Sequence, residues 1–441
     1  MLSVALAPMP VASPTTPSPP PSAGAAGVLD RAPRRTTEHR YGRGHRPLGI
    51  RAANRAARVL SPVKPNLLSL DPEVLLREAE ASLGLDDFGS TEFLEPLHVF
   101  TRALEDEANL LPIGRFFARG QILGSLRNRL LVAHARATDP EASAPLAPVT
   151  FIVGLPRTGS TFLQLLLSQD QDHRMLLTWE AAQPVVEPGR PDERERELAK
   201  RMKLLDYLAP TARTLHPIGA DLPTECVALL ANSFASLELA TINWVPSYLE
   251  WCFGQRFGAH YRYFERQLQV LQAQRPAARW LLKSPAHLFW LDDLLEVFPS
   301  AKVVQTHRDP LAVIGSFCSL SSTFCQVGSD AVPHETIARR WTEAWADGLV
   351  RAELTRASHP ERAIADVRYD ELVSAPMDVV TQLYADLDLE LTRDARRRME
   401  AFLAQPEGTS GCVHRYSLEQ FGLDPDEERE RYAWYRSAYR V

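Results

Sequence analysis

Val149-Thr150-Phe151-Ile152-Val153-Gly154-Leu155-Pro156-Arg157-Thr158-Gly159-Ser160-Thr161-Phe162 spells a strand, a turn and the opening of a helix. The first five residues form a β-branched and aromatic run with no alternation, the pattern of a strand buried on both faces of a parallel sheet. Two glycines then bracket the turn, and helical character continues from Phe162 to Ser168. Such a turn aims several backbone N–H groups at one point, where the helix dipole also favours an anion. Ser160 and Thr161 add hydroxyl donors, and Arg157 adds a permanent cation. A tight turn by itself would account for the glycines but not for these three together. Gly154 and Gly159 have the spacing of the nucleotide-triphosphatase loop GxxxxGK[ST], but Ser160 stands where that loop has its lysine. The missing lysine counts against ATP or GTP hydrolysis.

Three further strands are readable downstream, each followed by helical sequence. Trp280 to Lys283 precedes Pro285–Phe298, Lys302 to Thr306 precedes a helix from Pro310, and Ala363 to Val367 precedes Tyr369–Leu387. Strand-then-helix repetition predicts an α/β fold, a P-loop-type doubly wound parallel sheet flanked by helices. Asp71-Pro72-Glu73 supplies an N-cap, a proline at the first helical position and a first-turn acid, so an ordered helical lead-in is expected over 66–148. Residues from about 178 to 279 read as a mainly helical insertion; within it, Cys226 to Val245 reads as one buried helix, interrupted in polarity only by Asn232, Glu238 and Asn243. The segment Lys302-Val-Val-Gln-Thr-His307-Arg308-Asp309-Pro310 repeats the design of the first loop. A buried strand delivers Arg308 to the carboxyl end of the sheet, where α/β proteins bind ligands. Ser316 follows two turns along the next helix, so both could grip one phosphate.

Charge and composition narrow the class. The 441 residues carry a net charge of −6, with 45% hydrophobic and 24% charged residues, as in a soluble globular protein. Residues 1–65 stand apart. They hold 11 of the 34 prolines and a net charge of +8, leaving −14 for the remainder. This Pro/Ala/Arg-rich stretch is expected to be a disordered tail, with a single domain over 66–441. The basic charge is concentrated in that tail, which disfavours nucleic-acid binding as the main task. No run of about 18 uninterrupted apolar residues suggests a transmembrane segment. Five scattered cysteines without a CxxC pair suggest neither disulfides nor a zinc site and fit a reducing compartment. A cytoplasmic location is expected, though the Arg-rich tail leaves organelle import open. Oligomeric state is not legible.

Together the Pro156–Phe162 loop and the strand-Arg308-Asp309-Pro310…Ser316 segment resemble the two nucleotide-binding signatures of the PAPS-dependent sulfotransferase superfamily. The arginine-bearing loop and Leu282-Lys283-Ser284-Pro285-Ala286-His287 resemble in particular the bacterial family related to tyrosylprotein sulfotransferases. The likeness runs in order from about Val149 to Leu387. It implies that Arg157, Thr158, Gly159, Ser160, Thr161 and Phe162 hold the 5′-phosphosulfate of 3′-phosphoadenylyl sulfate (PAPS), and that Arg308 and Ser316 hold its 3′-phosphate. It further implies that Arg157 sits beside the bridging oxygen, that Lys283 contacts the sulfonate, that Tyr369 approaches the nucleotide and that Arg415 closes over the phosphates.

The implied reaction moves a sulfuryl group from PAPS to a hydroxyl, releasing adenosine 3′,5′-bisphosphate (PAP). It needs in-line geometry and stabilisation of the leaving phosphate, which protein cations can supply without a metal. It also needs a base. Glu180 lies at a remove from the loop similar to that of the glutamate base in the tyrosylprotein-type enzymes, and is preferred. His287, four residues after Lys283, is the rival. His216 and Glu225 are candidates to line the acceptor channel, and the aromatic cluster Trp244–Phe264 is a candidate source of an apolar pocket. The expected acceptor is a small-molecule, lipid or carbohydrate hydroxyl, with peptidyl tyrosine less favoured. The alternatives are a P-loop kinase or nucleotide hydrolase, and a non-catalytic nucleotide-binding protein on the same fold.

Overall fold

The computed structural model describes residues 36–38, 47–60, 65–208, 219–405, 413–415 and 417–441. Seven strands fall among them: β1 (Thr36–Glu38), β2 (Val149–Gly154), β3 (His173–Arg174), β4 (Arg279–Lys283), β5 (Lys302–His307), β6 (Ile364–Arg368) and β7 (Val413–Arg415). Five make one parallel sheet in the order β3-β4-β2-β5-β6, and β1 pairs separately with β7. The chain leaves β2 towards β3 on one side and crosses from β4 to β5 on the other. The crevice of this doubly wound sheet therefore opens at the carboxyl end of β2.

Both faces of the sheet are covered. Phe151, Val153, Leu282 and Val303 point into the larger core, while Ile152, Leu281 and Val304 point into a second core shared with Phe162 and Leu163. This alternation at a period of two, apolar on both sides, is why the strand runs lack a polar face. The larger core receives the amino-terminal helices Pro72–Leu83, Leu94–Asp106 and Pro112–Thr138. Asp71 caps the first, its Oδ1 accepting from the N–H groups of Glu73 at 2.9 Å and Val74 at 3.2 Å.

Four expectations are corrected. A helix, Leu48–Leu60, stands inside the stretch expected to be a disordered tail. Its Ile50 and Asn54 are buried, and Asn54 Oδ1 accepts from Ile113 N at 2.9 Å, so this part of the Arg-rich segment is ordered by docking on the helix Pro112–Thr138. Cys226 to Val245 is not one helix. It breaks into Val227–Leu230, a 3-10 turn over Ala231–Ser233, and Leu237–Ile242. Phe234 takes the left-handed conformation (φ 55°) and Ser236 caps the next helix, which interrupts the hydrogen-bond ladder. Pro376 likewise splits Tyr369–Leu387 into Tyr369–Ser374 and Pro376–Asp386, because a residue before proline leaves the helical region. Finally, Pro285–Trp290 is a 3-10 turn, and only Leu291–Val297 is α-helical.

Candidate active site

The loop after β2 is built by two close approaches. Gly154 (φ 129°) lies opposite Thr306 of β5, and a Cβ there would come within 2.4 Å of the Thr306 carbonyl oxygen. Gly159 (φ 84°) lies under Tyr369, whose ring would be 3.0 Å from an added Cβ. Thr158 is fully buried. Its hydroxyl donates to the Leu155 carbonyl at 2.7 Å and lies 2.6 Å from the Thr306 hydroxyl. The Thr158 side chain thus braces the loop, and any contact it makes with an anion falls to its backbone N–H. Arg157 adopts φ 66°, an unusual conformation for a residue with a side chain. The helix Ser160–Leu167 starts immediately afterwards, with its first N–H groups facing the turn.

Arg308, delivered by β5, reaches this loop: its Nη1 donates to the Arg157 carbonyl at 3.0 Å, and its guanidinium lies 3.8 Å over the centre of the Tyr369 ring. One cavity of about 590 Å³ is lined by Arg157, Gly159, Ser160, Thr161, Phe162, Arg308, Ser316 and Tyr369. A second, of about 380 Å³, shares Arg308 and Tyr369 with it. Two segments about 150 residues apart in sequence therefore meet in one cleft, lined by both arginines and by Ser160, Thr161, Ser316 and Tyr369.

The larger cavity continues away from the loop between Phe117 of the helix Pro112–Thr138, Leu237 and Ile242, and Phe317, Leu320 and Phe324 of the helix Pro310–Gly328. The last of these is the one helix among the described residues long and apolar enough to cross a membrane, but most of its residues are packed inside the protein. The aromatic cluster Trp244–Phe264 does not line the cavity. It packs as core, as in the stack of Phe257 on Trp290 at 3.6 Å. Trp345 is buried and also borders the cavity.

Neither predicted base is brought to the cleft. Glu180 is 1% exposed and is not among the cavity-lining residues. Its carboxylate is bound by Arg174 at 2.8 Å and Arg275 at 3.2 Å, and accepts from Leu177 N at 3.0 Å, closing the start of the helix Thr178–Ala182. Such surroundings match those of a first-turn acid that serves the helix start. Glu180→Gln is therefore expected to cost about 3–5 kcal/mol of stability in a denaturant titration, because it leaves buried Arg174 uncompensated. Activity per folded molecule should change little. His287 is fully buried against Phe151, with Nδ1 2.8 Å from the Tyr261 hydroxyl, and burial pushes its pKa down to about 3. It is a neutral core histidine.

Lys283, at the end of β4 beside Ile152 of β2, is buried and its Nζ contacts Glu225 Oε1 at 2.6 Å. Glu225 lines the cavity, as expected, and so does Glu238, which sequence reasoning missed. Glu238 Oε2 is buried with no hydrogen-bond partner. Burial, then the charge of Glu225, raise its pKa to about 7. The signal was present: Glu238 is a carboxylate in the middle of the most apolar long stretch of the chain, where an acid is costly without a use. Arg415 belongs to β7, but its side chain lies outside the described residues, as does His216. Among the described residues no group of three or more His, Cys, Asp or Glu side chains could hold a metal ion.

A parallel α/β sheet whose switch point carries a glycine-bracketed loop and a helix start, met there by a second arginine-bearing strand end, is the frame of this protein. Residues 148–393, more than half of the chain, match the model of the family described as "Sulfotransferase family", and the chain belongs to that family. It is 26% identical over 293 residues to the omega-hydroxy-beta-dihydromenaquinone-9 sulfotransferase Stf3 of Mycobacterium bovis, covering 62% of this chain and 71% of that protein. Among solved structures it is similar to the sulfotransferase STF1 of Mycobacterium tuberculosis H37Rv, with a TM-score of 0.71 and 32% identity over 82% of this chain and 98% of that one. It is also similar to STF9 of Mycobacterium avium, with a TM-score of 0.75 and 26% identity over 84% and 97% of the two chains. Sulfuryl transfer is thus the general reaction of this fold and site.

Proposed function

We propose that the protein transfers the sulfuryl group of PAPS to the hydroxyl of an apolar acceptor held in the cavity beyond the loop. The observation that carries this reading is the contact of Arg308 with the backbone of Arg157, which joins two cationic strand ends in one cleft. In this reading the loop N–H groups, Ser160 and Thr161 hold the 5′-phosphosulfate, while Arg308 and Ser316 hold the 3′-phosphate. The acceptor oxygen forms a bond to sulfur as the bond from sulfur to the bridging oxygen breaks. The electron pair goes to the bridging oxygen, stabilised by Arg157, and PAP leaves. The acceptor proton passes to Glu238, whose raised pKa suits a base working near neutral pH. The Glu225–Lys283 pair sits beside it, and the charge of Glu225 helps keep Glu238 basic.

The apolar walls of Phe117, Leu237, Phe317 and Phe324 support a hydrophobic acceptor over a sugar, whose hydroxyls would go unpartnered there. The Mycobacterium bovis relative acts on a hydroxylated menaquinone derivative, which agrees with this class.

Titration with PAP tests the donor site. Wild type should bind, and Arg308→Ala should bind about 10- to 100-fold more weakly, the loss of a charge-assisted contact to phosphate. Equal affinity of the two proteins, or no binding by the wild type, would refute the donor assignment. Transfer of labelled sulfate from PAPS to long-chain alcohols and hydroxylated quinones, compared with sugars, tests the acceptor class.

A further inference from the structure

The helix Leu48–Leu60 has a docked face and an outer face of a different kind. Ile50 and Asn54 are buried against the helix Pro112–Thr138. Away from them, Arg51, Arg55 and Arg58 follow one another at i, i+4 and i+7, all exposed, and the helix contains no acid. Leu48 and Val59 project beside this stripe, 82% and 70% exposed. Two more exposed apolar side chains stand on neighbouring elements: Leu67 on the turn Pro65–Leu68 and Phe116, at 56%, on the second turn of Pro112–Thr138. These elements are tied together, since Arg115 Nε donates to the Leu68 carbonyl at 3.1 Å. Scattered exposed leucines are ordinary, but four of the nine large exposed apolar side chains among the described residues fall on the helix Pro112–Thr138 and on the helix and turn that pack on it.

We propose that this surface, the outer face of Leu48–Leu60 with Leu67 and Phe116, docks the protein on an anionic lipid bilayer. Arginines flanking projecting leucine and valine match a headgroup layer lying over acyl chains, which is the geometry of an interfacial helix. Nucleic acid would engage the arginines but leave the apolar side chains in water, which is why the bilayer is the favoured partner. The same turns of Pro112–Thr138 that support this surface also line the cavity through Gly114, Phe117 and Ala118. A docked protein would thus hold its apolar wall next to the phase in which a lipid-like acceptor is dissolved. That benefit rests on the acceptor reading given above, whereas the docking itself does not.

Co-sedimentation with vesicles, without any donor or acceptor, separates the two ideas. The full chain should bind phosphatidylglycerol–phosphatidylcholine vesicles, bind pure phosphatidylcholine much less, and dissociate as salt rises. The triple variant Arg51→Ala, Arg55→Ala, Arg58→Ala should lose about 100-fold in affinity, each arginine contributing about fivefold near an anionic surface. Leu48→Ser with Val59→Ser should weaken binding while keeping its salt dependence. Circular dichroism and thermal melting serve as the check that each variant is folded, since they depend on neither donor nor acceptor. Absence of vesicle binding by folded wild type, or binding indifferent to both variants, would overturn the proposal. So would a wild-type dimer that only the Leu48/Val59 variant dissociates, with no vesicle binding, which would assign the face to a second copy of the chain.

Discussion

Replacing Arg157 with alanine is expected to lower the single-turnover rate of sulfuryl transfer about 10²–10³-fold, with PAP affinity falling far less. As the bond from sulfur to the bridging oxygen stretches, negative charge accumulates on the phosphate that becomes the leaving group. A guanidinium fixed beside it stabilises the transition state more than the ground state, so the loss appears in the rate. The backbone that carries it is held in place. Arg157 sits in a left-handed conformation at φ 66°, and its carbonyl is held by Arg308 at 3.0 Å. Such a conformation persists only when its surroundings enforce it. Arg157→Lys keeps the charge but loses the planar fork, so an intermediate rate is expected. Rapid-quench measurement with labelled PAPS reads both variants. An unchanged rate in Arg157→Ala would remove this residue from the reaction.

The parts of the molecule that were legible in the sequence are those fixed by local chemistry. Gly154 and Gly159 sit where a Cβ would strike Thr306 or Tyr369, and β2, β4 and β5 are buried on both faces along almost their whole length. The meeting of Arg308 with the loop followed from both lying at carboxyl ends of strands that turned out to be neighbours. The two-residue β3 was not legible, because so short an edge strand has no periodicity. The surroundings of Glu180 were not legible for a related reason. Distance along the chain from Arg157 to Glu180 says nothing of direction, and the fold turns that carboxylate inward to Arg174 and Arg275. Glu238 was hidden by the assumption of a continuous helix, whereas the turn at Phe234 restarts the helix and places Glu238 in its first turn. Arginine-rich composition outweighed the faces of Leu48–Leu60 in the sequence reading, although Ile50 and Asn54 already stood one turn apart.

Glu238→Gln is expected to lower kcat about 10²–10⁴-fold, the usual contribution of a positioned general base, and to abolish the rise of activity through neutral pH. In the wild type Glu238 must be ionised to accept a proton, so with its pKa near 7 the rate should climb as pH passes from about 6 to 8 and then level. Glu225→Gln should shift this limb to lower pH, because burial and the Glu225 charge are the two causes that hold the Glu238 pKa up. Stability should move in the opposite sense to activity. The folded protein holds a proton on Glu238 that the unfolded chain releases near the ordinary value of 4.5. Between that value and about 7 the native state binds more protons than the unfolded one, so the wild type loses stability as pH rises across this window. Glutamine carries no charge to bury, so the variant should be more stable than wild type at pH 8 and equal to it near pH 4. A variant that is both inactive and more stable above neutrality marks a carboxylate kept for the reaction at a cost to the fold, a combination that a merely structural Glu238 would not produce. Full activity in Glu238→Gln, with Glu225→Gln inactive, would move the proton to Glu225 instead.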